Sequence, residues 1–289
     1  MATKKFILPD NRIVKIERST GIYYISPFKK IKKEKYNAFV ETYIEKQTLQ
    51  TKIRSTFHQL QANNFQKNPN FLSRLVSILS TYVPPIGKNG GNFLDIGCNT
   101  GAFLSKIPLG WKKYGVEIND AAFREAKKIK NIIVSHTQFE KYRPKIKFDY
   151  VRASHVIEHL PDPNIFFKKI YEISNPKAKV LIYTPNSSAL SLVIFGRHWA
   201  CFSEKTHVVI FNIRNLEKIA QENGFKVIQS GTYPMGIAAG SIRGLSKRLE
   251  ESKMSALLFF VVFIVLYPFS IITNILKRGS VLYLYLEKR

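Results

Sequence analysis

Cysteine is nearly absent: Cys98 and Cys201 are the only two in 289 residues. That excludes a disulfide framework and any cysteine-rich zinc site, and a reducing, cytoplasmic interior fits best. Acid is scarce as well, with 20 Asp+Glu against 45 Lys+Arg and a formal net charge of +25. Such a surplus calls for an anionic partner (lipid head groups, nucleic acid or a phosphorylated substrate) unless it is only a solvated, lysine-rich surface. The opening Met1-Ala2-Thr3-Lys4-Lys5 leads into mixed polar sequence with no apolar core, so no secretory signal is expected. Also missing is the Gly-x-Gly-x-x-Gly fingerprint of dinucleotide sites. The chain length suits one domain with appendages, or two small ones.

What is present centres on Phe93-Leu94-Asp95-Ile96-Gly97-Cys98-Asn99-Thr100-Gly101-Ala102-Phe103-Leu104. The pattern predicts a short buried strand, a glycine-punctuated turn and the opening of an amphipathic helix. Glycines at 97 and 101 allow a sharp turn and let a ligand approach without a Cβ in the way. Glu117 ends a second expected strand, Lys113 to Ile118, and lies 20 residues beyond Gly97. An acid there can accept the hydroxyl protons of a ribose. Asp95 stands just before the first glycine, where it would repel a pyrophosphate but attract a cationic sulfonium ligand carrying an ammonium group.

The Asp95-x-Gly97-x-Asn99-x-Gly101 run resembles the first motif of the class I S-adenosylmethionine (SAM)-dependent methyltransferases. A second block, Phe148 to Pro163, resembles the Glu-His-Leu/Val-x-Asp-Pro signature of the ubiquinone-type and related small-molecule members, here Glu158-His159-Leu160-Pro161-Asp162-Pro163. The resemblance implies a Rossmann-like α/β fold: a seven-stranded, mostly parallel sheet with helices on both faces. It carries SAM binding to Asp95, Gly97, Cys98, Asn99, Gly101 and Ile118, with Glu117 at the ribose, Gln138 and Phe139 at the adenine, and Ser154 at the end of a strand. Nucleobase amino-methyltransferases carry an Asn/Asp-Pro-Pro-aromatic clamp after that strand. Ser154-His155-Val156-Ile157 is no such clamp, so methylation of a base amine is disfavoured.

His155, Glu158 and His159 would share one face of a helical turn. Two imidazoles and a carboxylate could form an acid–base cluster or hold a divalent cation, or simply orient the loop by hydrogen bonds. No metal is assigned. Further on, Gly196-Arg197-His198-Trp199 and Thr206-His207-Val208 match a stretch that overlies the acceptor in the family. His207 is the first choice for a general base, with His159 and His155 beside it and His198 weaker.

Domain boundaries are expected at 1–60 (a hairpin and a basic helical extension), 61–250 (the methyltransferase domain), 251–278 (an apolar helical insertion) and 279–289 (the last strand). Residues 29–83 read as mostly helical, with Tyr36, Phe39, Val40, Tyr43 and Ile44 at helical spacing. Ser255 to Leu276 is long enough to cross a bilayer. Yet a single crossing would part the last strand from its sheet, and Pro268 halves the segment. The expected arrangement is a helical hairpin in the cytoplasmic leaflet, with Arg243, Lys247, Arg248, Lys253, Lys277 and Arg278 on anionic head groups, the alternatives being a buried cap or an oligomer interface. The expectation is therefore a peripheral or monotopic methyltransferase at the inner face of the membrane. Its acceptor would be a small molecule, lipid, quinone or lipid-linked saccharide, methylated at oxygen. Rival readings are RNA or protein methylation, and a SAM- or lipid-binding protein without catalysis. Nucleic acid is not an expected partner.

Overall fold

The structure is a computed structural model and describes residues 4–27, 71, 90–233 and 272–289. Seven strands make the main sheet: β4 (Gly91–Ile96), β5 (Trp111–Glu117), β6 (Ile132–His136), β7 (Phe148–Ser154), β8 (Ser174–Pro185), β10 (Phe225–Tyr233) and β11 (Val281–Lys288). Their spatial order is β10-β11-β8-β7-β4-β5-β6. Every neighbouring pair is parallel except those of β11, which runs antiparallel to both β8 and β10. This is the expected α/β sheet, and β10 and β11 form an antiparallel pair at its edge.

The central strands are apolar because both faces are covered. On one face Leu94, Ile96, Val151 and Ile182 pack with Phe166, Phe167 and Ile170 of α2 (Pro163–Ile173) and with Leu216 and Ala220 of α4 (Ile213–Glu222). On the other, Phe93, Tyr150, Leu181 and Tyr183 pack with Ala126 of α1 (Asp120–Lys127) and with Phe103 and Leu104 of the glycine-rich loop. The helix starts are written locally. Asn119 Oδ1 accepts from the amide of Ala122 at 2.9 Å, Asp162 Oδ1 from that of Asn164 at 2.8 Å with Pro163 following it, and Asn212 and Asn215 cap each other's amides.

A second, four-stranded antiparallel sheet joins β1 (Lys4–Ile7), β2 (Ile13–Glu17), β3 (Ile22–Ser26) and β9 (Val209–Ile210). The expected hairpin at 12–25 is its centre. It needs no metal, because Leu8, Val14, Ile25, Trp199, Phe202 and Ile210 give it a core shared with the loop after α3 (Leu190–Phe195). Arg12 reinforces that seam. Its buried guanidinium pairs with Asp10 at 2.8 Å and donates to the carbonyls of Glu204, at 3.0 Å, and Phe202.

One expectation is corrected. No amphipathic helix follows Gly101; the chain makes a single 3-10 turn at Leu104–Lys106 and then extends. Pro108 is the reason, since it drives the preceding Ile107 into extended backbone, here φ −61° and ψ 137°. The helices expected over 29–83 (Phe71 aside), the loop at 84–89 and residues 255–271 of the apolar segment lie outside the described residues. Among the described residues no helix is long and apolar enough to cross a membrane.

Candidate active site

The strands β4, β5 and β7 end side by side, and the loops leaving them hold the sequence-predicted residues. After β4 the chain reverses through three left-handed residues, Gly97 (φ +68°), Asn99 (φ +51°) and Gly101 (φ +73°). A Cβ at Gly97 would lie 2.8 Å from Val156 Cγ2, so only glycine fits beneath the loop that follows β7. The amides of Gly97 and Cys98 both donate to the carbonyl of Val116, at 2.8 and 3.1 Å, pinning the turn to β5. The Cys98 thiol is buried, and burial with the nearby Asp95 and Glu117 charges pushes its pKa up, so it packs as an inert thiol.

Glu117 closes this corner. Its Oε2 accepts from the Asn99 amide at 2.8 Å, and its Oε1 from the amides of Ile118 and Asn119 at 2.9 and 2.7 Å. Burial pushes its carboxyl up, while those three donors pull it back. Ile118 beside it stays 54% exposed, an apolar ledge at the rim of the cleft. Gln138 is exposed and starts a 3-10 turn in which Phe139 buries its ring against Phe166, at 5.5 Å between centroids. Asp95 is 1% exposed and bonds through Oδ1 to Arg152 Nη1 at 2.8 Å. Burial pushes its carboxyl up, and Arg152 draws it down.

The second constellation follows β7. Ser154 ends that strand, and His155 then takes a left-handed conformation, φ +56°, costly for a side chain with a Cβ. Ile157–His159 forms a 3-10 turn rather than an α-turn. Glu158, with no exposed surface, becomes a hub. Its Oε1 lies 3.0 Å from His155 Nδ1 and 4.0 Å from His207 Nε2, and its Oε2 accepts from Thr184 Oγ1 at 2.9 Å. Burial pushes the Glu158 carboxyl up, but the bond and charge of His155, with His159 and His207 nearby, bring it down to about 2. It is therefore ionised at neutral pH and can only accept, so His155 Nδ1 must carry the proton. That leaves a lone pair on His155 Nε2, which is buried and has no hydrogen-bond partner among the described residues.

His207 lies deeper. Its Nδ1 bonds to the Cys201 carbonyl at 2.8 Å, and burial of the ring pushes its pKa down to about 4 against the pull of Glu158. Its ring centroid is 4.9 Å from that of His159. One donor atom each from Glu158, His159 and His207 lies within 4.8 Å of the others. Two ligands of one metal ion at about 2.1 Å sit no more than about 4.2 Å apart, and the Glu158–His207 separation of 4.0 Å falls within that span. His155, expected in that set, instead faces Glu158 Oε1. His198 is exposed beside Arg197.

Sequence reasoning missed Arg152 and Thr184. The signal for Arg152 was a cation between the apolar Tyr150-Val151 and Ala153 of a central strand, where a buried charge must find a partner.

Comparison with known proteins places this geometry in context. A family model described as a methyltransferase domain matches residues 60–230. The mitochondrial ubiquinone biosynthesis O-methyltransferase of Bos taurus is 25% identical over 191 residues, which is 60% of this chain and 52% of that protein. Ubiquinone biosynthesis O-methyltransferase of Bradyrhizobium diazoefficiens is 27% identical over 118 residues, 38% of this chain and 47% of that protein. The chain thus spans about half the length of the curated relatives it matches. Among solved structures, a possible histamine N-methyltransferase from Thermotoga maritima superposes with a TM-score of 0.51 at 16% identity, covering 88% of this chain and 98% of that one. Haemonchus contortus phosphoethanolamine N-methyltransferase 2, in complex with SAM, also gives 0.51, at 20% identity over 92% and 62%. These two share the fold.

Proposed function

The chain belongs to the methyltransferase-domain family as a class I SAM-dependent methyltransferase, and from that premise we propose that it methylates a hydroxyl oxygen of a small-molecule or quinone-type acceptor. The observation that carries the oxygen target is the unpartnered Nε2 lone pair of His155, held on the ionised Glu158 beside the cofactor corner. The ubiquinone O-methyltransferase relatives agree with it.

The residues present fit the cofactor. Three left-handed positions at Gly97, Asn99 and Gly101 form a cradle that a Cβ at 97 would fill. Glu117 would take the ribose hydroxyls, and Ile118 with the Gln138-Phe139 turn would flank the adenine. When bound, SAM supplies a methyl group on a positive sulfur. Transfer is an in-line displacement, so holding the acceptor oxygen in line contributes much of the rate. His155 Nε2 removes the acceptor's hydroxyl proton, and the Glu158 carboxylate stabilises the imidazolium that forms. The proton then leaves to solvent. This reading moves the base from His207 to His155, because a ring pushed down to about 4 accepts a proton poorly at neutral pH. His207 and His159 act as positioning residues around Glu158.

An anionic bilayer surface remains the proposed setting. Val193, Ile194, Ile272, Ile275 and Leu276 are exposed aliphatics, with Arg197, Lys277 and Arg278 among them. Two hydrogen bonds join the two stretches: the Leu190 amide to the Arg278 carbonyl at 2.9 Å, and Ser191 to Ser280 at 2.9 Å. Both stretches lie at the end of the sheet where the site is. The test is incubation with methyl-labelled SAM and a panel of phenolic, quinol and lipid-linked acceptors. Label on an ether oxygen is the expected product, and label on nitrogen alone would contradict the reading. Flotation with anionic against neutral vesicles tests the setting, with binding expected only to the anionic ones.

A further inference from the structure

We infer that Asp95 and Arg152 together form a two-charge receptor for the amino-acid end of the cofactor, with Arg152 taking its carboxylate. The inference rests on residues 95–101 being the cofactor corner and adds a residue, Arg152, with a defined partner group.

The two side chains come from adjacent strands in direct register, Asp95 on β4 opposite Arg152 on β7, two residues before Gly97. Arg152 Nη1 donates to Asp95 Oδ1 at 2.8 Å, and among the described residues that is the one hydrogen bond the guanidinium makes. A guanidinium has five N–H donors. Arg152 Cζ lies 4.0 Å from the Phe103 ring centroid and 5.7 Å from that of Tyr183. Aromatic faces attract the cation but accept none of its in-plane N–H bonds. The other donors belong to a side chain 14% exposed and are not among the buried polar atoms left unpartnered, so they keep accessible surface where a ligand can meet them. Asp95 Oδ2 likewise has no partner among the described residues, so the pair offers both an acceptor and donors.

Charge arithmetic agrees. A purely structural pair would be neutral and closed. Among the described residues this pair is neutral but open on both halves, next to the ring of Phe103 from the cofactor loop. A ligand end with one ammonium and one carboxylate matches it charge for charge. Arg suits the role better than Lys because its planar fork meets a carboxylate at two points.

The test is calorimetric titration of the full chain with SAM, with decarboxylated SAM (which keeps the ammonium and loses the carboxylate) and with 5′-methylthioadenosine, which lacks the whole amino-acid end. Wild type should bind SAM about tenfold or more tighter than decarboxylated SAM, the worth of one charge-assisted contact. In R152M that preference should vanish while 5′-methylthioadenosine binds as before. Because R152M leaves Asp95 buried alone, the D95N/R152M double variant carries the same comparison without a stranded charge, and there too the preference should be lost. Equal wild-type affinity for SAM and decarboxylated SAM overturns the inference, as does a preference that survives in either variant. Failure of wild type to bind any of the three ligands overturns the cofactor corner itself, and this inference with it.

Discussion

Asp95 and Glu158 are two buried carboxylates at the C-terminal end of the parallel strands, and their surroundings are opposite. Asp95 has one strong partner, Arg152, and keeps an oxygen open. Glu158 is filled, with His155 and Thr184 bonded to it and His207 at 4.0 Å. Burial lifts the carboxyl of Asp95, whereas the histidines bring that of Glu158 down to about 2. A carboxylate with open valence suits ligand capture. A saturated one suits holding other side chains in a fixed tautomer and orientation. On the proposed reading, the difference divides the site into a binding half and a proton-handling half.

The division can be broken most severely at His155. His155→Gln should lower turnover by about 10²- to 10⁴-fold, the usual worth of a positioned base, and leave SAM affinity unchanged. Steady-state kinetics with the acceptor found above would check it. Arg12→Met should act on the proton-handling half alone. It removes a buried guanidinium from the Phe202 and Glu204 carbonyls and from the Asp10 carboxylate, at a cost of about 3 kcal/mol. Thermal unfolding should register that loss, with turnover falling while SAM binding persists.

Acid should separate the halves next. The folded pKa of His207, about 4, lies below its ordinary 6.5, so the unfolded state binds more protons between those values. The stability His207 contributes is full above about pH 6.5 and is lost as pH falls toward 4. The contribution of Glu158 is present above its ordinary 4.5 and is lost as pH falls toward 2. Melting temperature should therefore fall from pH 6.5 downward, and His207→Gln should flatten the upper part of that slope. The smallest expected effect is that of a chelator. With both Glu158 oxygens already bonded, to His155 and Thr184, EDTA should leave turnover unchanged, and a large loss restored by a divalent cation would reassign Glu158, His159 and His207 as ligands.

The turn proposed to bind the cofactor was legible in the sequence as a turn because its information is local. Five residues from Gly97 to Gly101 carry both the turn and its need for glycine, and Glu117 follows at a fixed spacing. Strand order was legible only through the family resemblance, since nothing local tells β4 to sit between β5 and β7. Arg152 escaped because its partner lies 57 residues away and is chosen by cross-strand register. The low basicity of His207 escaped for a similar reason. It depends on burial under a loop that the N-terminal sheet clamps through Arg12. The missing helix after Gly101 was readable, because Pro108 leaves too few residues, but the glycine pattern outweighed it.

Titration of SAM into three variants tests the two-part cleft most directly. Asp95→Ala and Glu117→Ala should each weaken SAM binding by about tenfold or more, as expected for losing a charge-assisted contact. His155→Gln should bind SAM as the wild type does. Unchanged affinity in both carboxylate variants, or an equal loss in His155→Gln, would contradict the division.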